Sequence, residues 1–466
     1  MKPARKPLPN AWSFLGIAVL AAWFPICRPY LRVADDFHFA DWLQSKGVPI
    51  YFHEDGVWRI LGHELIHGAA LAHPLLPGIL ALATHGIAAT LLMLALRRML
   101  SSESLALLLA LIFAVYPWAD EALMWASAYT YVLATTFFLA GLCLLLRVFP
   151  LKNAWAVPLC ILCTVLSLLS HEALFFAQLV AGALPLVRER DAPLRERLTL
   201  AGAPVAGCGI WMILYRTFPG RMPAEHVVLN PRTILSGIFY QYTNLDIFEP
   251  WLRAGTRDLL FFAWSPWQFA AGALLITAVA LYGRRALAGL RAETGREASA
   301  GNLMLGYLVA LLLATVAIYA VGGGFSLDSR KKYAIIPVLL MGVGCGIERI
   351  APKVRVKSWV ILAVVLSGIL TTWLQIALWR YEATRLDLLI GFLRTQRDPA
   401  AVRVVWDSRI QEAWPRSTRH WGMPVEKWVL ANAIRLDARL LPPALPHPQA
   451  AAVRFDAARF TWVPME

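Results

Sequence analysis

The chain has 466 residues, 58% of them hydrophobic and only 16% charged, with a mean hydropathy of +0.56, a balance that excludes an ordinary soluble globular protein. The formal net charge of +14 does not mark a nucleic-acid binder, because no soluble segment combines a basic face with interleaved aromatics. All six cysteines (Cys27, Cys143, Cys160, Cys163, Cys208 and Cys345) lie in apolar runs, so a disulfide framework is excluded and the CxxC at Cys160 and Cys163 reads as packing.

A helix needs roughly 20 apolar residues to cross the hydrocarbon core, and only helices or closed barrels satisfy their backbone there. Taken in chain order, runs at 12–31, 74–96, 104–118, 126–146, 154–170, 172–187, 199–217, 260–282, 302–321, 334–348 and 359–378 predict about eleven transmembrane helices. The first run follows basic residues and lacks a cleavage site after it, so it reads as a retained anchor. Basic residues mark alternate joints: Lys2, Arg5 and Lys6; Arg97 and Arg98; Arg147 and Lys152; Arg188 to Arg197; Arg284 to Arg296; Arg349 to Lys357. By the positive-inside rule these joints and the amino terminus are cytoplasmic.

The opposite face then carries outer loops 32–73, 218–259 and 322–333, short turns at Asp120 and His171, and the carboxyl-terminal tail. The expected fold is an all-α polytopic membrane protein, residues 1–378, followed by a small C-terminal α/β extracytoplasmic domain, 379–466. That tail holds a charged helical stretch at 381–397, β-like runs at 402–406 and 453–462, and a helical stretch at 426–439.

The first outer loop opens with the adjacent carboxylates Asp35 and Asp36. Such a pair at a membrane surface binds a divalent cation, supplies a general base, or is simply a solvated charged loop. Trp42, Tyr51, Phe52 and Trp58 in the same loop either stack on a sugar ring or anchor at the interface. Further on, His63-Glu64-Leu-Ile-His67 matches HExxH, the signature of a zinc metalloprotease. Metzincins break the helix at a Gly where this chain has Ala70, and an unbroken helix carries His73 roughly 15 Å from His63, too far for a third ligand. A carboxylate distant in sequence, Glu172 or Asp328, would have to close a zinc site.

Asp120 and Glu121 sit in the second outer turn, either as metal ligands or as solvated turn residues. His171 and Glu172 lie between apolar runs with almost no loop, where ionisable groups are costly and face a polar cavity or each other. Arg330, Lys331 and Lys332 form a basic cluster in an outer loop, against the positive-inside pattern, and contact either a bound phosphate or outer-leaflet lipid. A transporter or flippase for lipid-linked glycans would need charges well inside its spans, and Arg28, His85 and the His171-Glu172 pair are almost the only ones.

The acidic pair after the first helix, the long amphipathic first loop, the many spans and the outer C-terminal domain together resemble the GT-C superfamily of membrane glycosyltransferases. The resemblance covers most of the chain and is nearest to the bacterial polyprenyl-phosphate-sugar-dependent enzymes of the O-antigen glucosyltransferase type. Trp58-Arg59, Glu121-Ala-Leu-Met-Trp125 with Tyr129, Ser170-His171-Glu172 and Arg330-Lys-Lys-Tyr333 add to it as an ordered set. The resemblance implies transfer of a sugar from a polyprenyl-phosphate carrier to an envelope glycan or lipid on the outer face of a bacterial inner membrane, as in lipopolysaccharide assembly. It makes Asp35 or Asp36 the base for the acceptor hydroxyl. It places Arg59, His171, Glu172, Arg330, Lys331, Lys332 and Tyr333 at the substrates. Charge at the leaving phosphate comes either from those basic side chains or from Mg2+ or Mn2+ held by Asp36, Asp120 and Glu121.

Overall fold

The computed structural model describes residues 9–28, 59–116, 119–148, 152–188, 192–217, 266–289, 302–321, 329–351, 354–395, 402–405, 451–456 and 461–464. Asp35, Asp36, Trp42, Tyr51, Phe52, Trp58, Asp328 and the loops 32–58, 218–259 and 322–328 lie outside the described residues. So does the helical stretch expected at 426–439.

The chain is a multi-pass helical membrane protein. Its helices are α1 (Pro9–Trp23), α2 (Ile60–Ala72), α3 (Leu76–Met99), α4 (Glu103–Ala114), α5 (Asp120–Met124), α6 (Tyr129–Leu145) and α7 (Asn153–Ser170). They continue with α8 (Phe175–Ala181), α9 (Leu184–Arg188), α10 (Leu194–Thr217), α11 (Pro266–Gly289), α12 (Asn302–Val321), α13 (Ser329–Ile350) and α14 (Ser358–Thr395). Among the described residues five helical stretches are long and apolar enough to cross a membrane: Leu76–Met99, Ala126–Leu145, Leu194–Thr217, Tyr333–Ile350 and Ser358–Ala377.

Three elements depart from the helices expected of the sequence. The run at 172–187 is not one helix: a 3-10 turn (Glu172–Leu174), α8 and α9 divide it, with Gly182 at the second break. A Cβ on Gly182 would meet the carbonyl of Ala201 on α10 at 2.6 Å, so backbone closeness there, with Pro185 in the first turn of α9, accounts for the break. The run at 104–118 yields only the 12 residues of α4, about 18 Å of helix. Its last carbonyl, Ala114 O, accepts from Trp23 Nε1 at 2.9 Å and from His85 Nε2 at 3.0 Å, so side chains of α1 and α3 satisfy a helix end within the bundle. Finally, α14 is 38 residues long, about 57 Å, and passes through the boundary expected at 378 without interruption.

The basic joints converge at one end of the bundle. Arg98 Nε donates to Leu146 O at 3.2 Å, Arg188 donates to Arg98 O, Arg97 pairs with Glu103 and Arg147 with Glu196. There the buried Glu348 carboxylate accepts from Ser101 N and Oγ and from Ser102 N, capping the start of α4 from the last turn of α13. Ser102 Oγ also accepts from Leu105 N, the expected N-cap bond. Arg147 adopts φ 51° as the left-handed residue of a Schellman turn, with Val148 N bonded to Cys143 O and Arg147 N to Leu144 O.

Beyond α14 a small sheet forms in the order β1 (Val402–Val405), β2 (Ala451–Asp456), β3 (Thr461–Pro464), β1 parallel to β2 and β2 antiparallel to β3. The expected second run, 453–462, is thus the inner part of a hairpin in which Phe455 pairs with Trp462.

Candidate functional site

At the end of the bundle away from the basic joints, the first loop returns at Arg59. This residue takes the left-handed conformation, φ 51° and ψ 21°, immediately before α2. For a residue with a Cβ that is an unfavourable backbone, held here by what the side chain does. Its guanidinium forks onto Glu172, Nε to Oε2 at 3.0 Å and Nη2 to Oε1 at 2.5 Å, a bidentate pair between residues 113 apart in sequence.

Glu172 is presented by the break after α7. His171 ends that helix in an extended conformation, and its Nδ1 accepts the N–H of Ala173 at 3.0 Å, closing the 3-10 turn. An Nδ1 that accepts leaves the proton of the neutral ring on Nε2. The imidazole lies against the Tyr131 ring with centroids 3.9 Å apart, and its Nδ1 is 3.7 Å from Glu172 Oε2. Burial alone would push the Glu172 carboxyl up; the Arg59 guanidinium bonded to it overcomes that and holds the group well below the usual carboxylate range.

α2 supplies the rest of the cluster. His63 and His67 share one helix face, both buried, with rings stacked at 5.8 Å. The helix lies close on the start of α6 because position 62 is glycine: a Cβ there would meet Thr130 at 2.6 Å. Burial first, then His67, Arg59 and His171, hold the His63 imidazole well below its ordinary value, with Glu172 opposing. Arg59, His63, His67, His171 and Glu172 therefore form one electrostatic unit.

Among the described residues the HExxH reading gains no third ligand; Asp328 lies outside them. α2 runs unbroken through Ala70, and His73 turns its Nδ1 to the N–H of Leu75. Glu172 is engaged by Arg59, and among the described residues no group of three or more His, Cys, Asp or Glu could hold a metal ion.

Of the other candidate residues, Asp120 and Glu121 open α5, and Arg330, Lys331 and Lys332 form the first turn of α13. Tyr333 follows them into the core. Its side chain is fully buried, and its hydroxyl donates to His85 Nδ1 at 2.7 Å while His85 Nε2 donates to Ala114 O. His85 is thus satisfied within the core rather than turned to a transport path. Tyr129, in the same region, bonds Thr84 Oγ1 at 2.7 Å. Sequence reasoning singled out Arg59, His171 and Glu172 but not the Arg59–Glu172 contact, and assigned His63 and His67 to a competing chemistry. Tyr131 carried no signal beyond its place in an apolar run.

No family model matches the sequence, and no curated protein matches it. Solved structures similar to this chain include ArnT from Cupriavidus metallidurans bound to undecaprenyl phosphate, at 13% identity and a TM-score of 0.46, over 96% of this chain and 93% of that one. The archaeal oligosaccharyltransferase AglB from Archaeoglobus fulgidus, in complex with an inhibitory peptide and a dolichol-phosphate, is similar at 15% identity and a TM-score of 0.39, over 95% of this chain and 65% of AglB.

Proposed function

We propose that this chain is a membrane glycosyltransferase of the GT-C type that moves a sugar from a polyprenyl-phosphate carrier to an envelope glycan or lipid acceptor. The observation that carries the reading is the Arg59–Glu172 fork with His63, His67 and His171 around it. It is a polar, charged cluster built at one end of an apolar helix bundle, where the acidic first loop rejoins the helices. Ionisable groups gathered where an apolar bundle ends mark a site that handles polar substrate. In this reading the cluster's end is the outer face of a bacterial inner membrane, and the end gathering Arg97, Arg98, Arg147 and Arg188 is cytoplasmic.

In the reaction, Asp35 or Asp36 accepts the proton of the acceptor hydroxyl as its oxygen bonds to the anomeric carbon. The bond from that carbon to the carrier phosphate oxygen breaks, and polyprenyl phosphate departs with the electron pair. Arg330, Lys331 and Lys332, in the first turn of α13 just before the buried Tyr333, supply positive charge to the departing phosphate. A divalent ion held by Asp36, Asp120 and Glu121 would supply the same stabilisation as a Lewis acid. The Arg59–Glu172 fork ties the returning end of the first loop to the helices.

The test is turnover by the purified chain with radiolabelled polyprenyl-phosphate sugars, read as release of free carrier. Asp36→Asn is expected to remain folded and to abolish release, and loss of release on adding chelator assigns the metal. An active Asp35→Asn, Asp36→Asn double variant overturns the assignment of the base. A flippase would move the lipid across a bilayer without releasing carrier.

A further inference from the structure

The first turn of α13 carries Arg330, Lys331 and Lys332, and Tyr333 follows directly. Pro337 inside the same helix has no N–H, so the carbonyl of Tyr333, four residues back, lacks its usual helical bond, and the basic turn joins the rest of α13 through a weakened backbone. The Tyr333 side chain offsets that weakness. It enters an aromatic cluster made with Trp23 of α1, His85 of α3 and Phe113 of α4, all buried. The His85 ring lies 5.7 Å from Trp23, 5.2 Å from Phe113 and 5.7 Å from Tyr333, and Phe113 lies 5.3 Å from Tyr333, centroid to centroid.

One polar contact fixes the Tyr333 ring in that cluster. Ala114 O can only accept, so His85 Nε2, 3.0 Å away, carries the proton, and the Nδ1 of the neutral ring is left as an acceptor. The Tyr333 hydroxyl at 2.7 Å is then the donor. Ala114 O is itself held, since it also accepts from Trp23 Nε1 at 2.9 Å, and the next carbonyl, Val115 O, accepts from Thr372 Oγ1 of α14 at 3.1 Å. Side chains of α1, α3 and α14 thus converge on the end of α4, and His85 links that fixed point to Tyr333. From the same point the chain runs six residues to Asp120 at the start of α5, against which α13 also packs. The basic turn and the acidic turn share one reference.

We propose that His85 and Tyr333 are a positioning pair, whose hydrogen bond holds the Arg330–Lys332 turn where it meets the phosphate of a polyprenyl-phosphate substrate. The pair rests on the transferase reading for the identity of that phosphate.

The experiment compares the purified full-length chain with its Tyr333→Phe, His85→Phe and double variants, each checked for folding by Tm. Affinities for polyprenyl monophosphate and for uncharged polyprenol are read by native mass spectrometry. Each variant is expected to bind polyprenyl monophosphate about tenfold more weakly with polyprenol binding unchanged, and the double variant to be no worse than either single one, since both lose the same bond. A spin label on Ser329→Cys, measured against one on His73→Cys in a cysteine-replaced background, should give a broader distance distribution with Tyr333→Phe than with Tyr333 intact. A merely structural role would lower Tm and weaken both lipids alike. A wild type that does not prefer polyprenyl monophosphate to polyprenol, unchanged affinity for it in a folded variant, equal loss of polyprenol, or an unaltered distance distribution overturns the pair. Carrier release decides the transferase reading separately. Phosphate-specific loss in the variants without release by the wild type would keep the pair and sink the transferase; release with unaltered phosphate affinity would do the reverse.

Discussion

Glu172 shows how a single carboxylate ties the first loop to the bundle. It is partly shielded, with 14% of its side chain exposed against 22% for Arg59, and the pair is bidentate. Removing one partner strands the other's charge, so Glu172→Gln or Arg59→Gln should each cost roughly 3 kcal/mol of stability, with the double variant costing less than the sum. A double-mutant cycle of thermal or denaturant unfolding measures that coupling; additive costs would mean that the fork contributes nothing. The pH dependence has a defined sign. Glu172 is held below its unfolded value, so its stabilisation is complete above about pH 4.3 and is lost as pH falls through the lower folded value. His63 is also depressed, so below about pH 6.5 the unfolded imidazole takes up a proton that the buried one refuses. Stability should therefore fall from pH 7 to pH 5, by at most about 1.4 kcal/mol per unit from His63, and His63→Gln should flatten that slope.

At the scale of elements, close helix contact is set by glycine. A Cβ on Gly368 of α14 would run into the side chain and carbonyl of Val115, just past the end of α4, whereas Gly391 of the same helix has nothing within 4 Å. Gly368→Ala is expected to cost about 1–3 kcal/mol through overpacking. Gly391→Ala should be neutral or stabilising by up to about 1 kcal/mol, since alanine is the better helix former. Unfolding of the two variants side by side checks the contrast, and equal effects would mean that the α14 contact is not the tight one. The same logic explains why the apolar run at 172–187 is divided: the constraint on Gly182 is a carbonyl of a neighbouring helix, which hydrophobic length does not register.

At the scale of the molecule, the joints at 97–103, 146–152 and 188–196 meet at one end, while Arg59, His171 and Glu172 meet at another. In a background with its cysteines replaced, Lys152→Cys should be shielded from an impermeant maleimide in intact cells and His73→Cys labelled. Labelling of Lys152→Cys and protection of His73→Cys would invert the orientation.

The chain alone determined the membrane class, the approximate position of most helices and the alternation of basic joints, because apolar run length and Lys/Arg placement act locally and are written in consecutive residues. It also pointed to the His171-Glu172 pair, because polar groups stand out between apolar runs, and to Arg59 through the family resemblance. Only the tertiary structure decided that Arg59 binds Glu172 and that His63 and His67 lie beside them with no third ligand among the described residues. Each of those is a contact between residues distant in sequence or a limit on backbone approach, and helix packing, not local pattern, sets both.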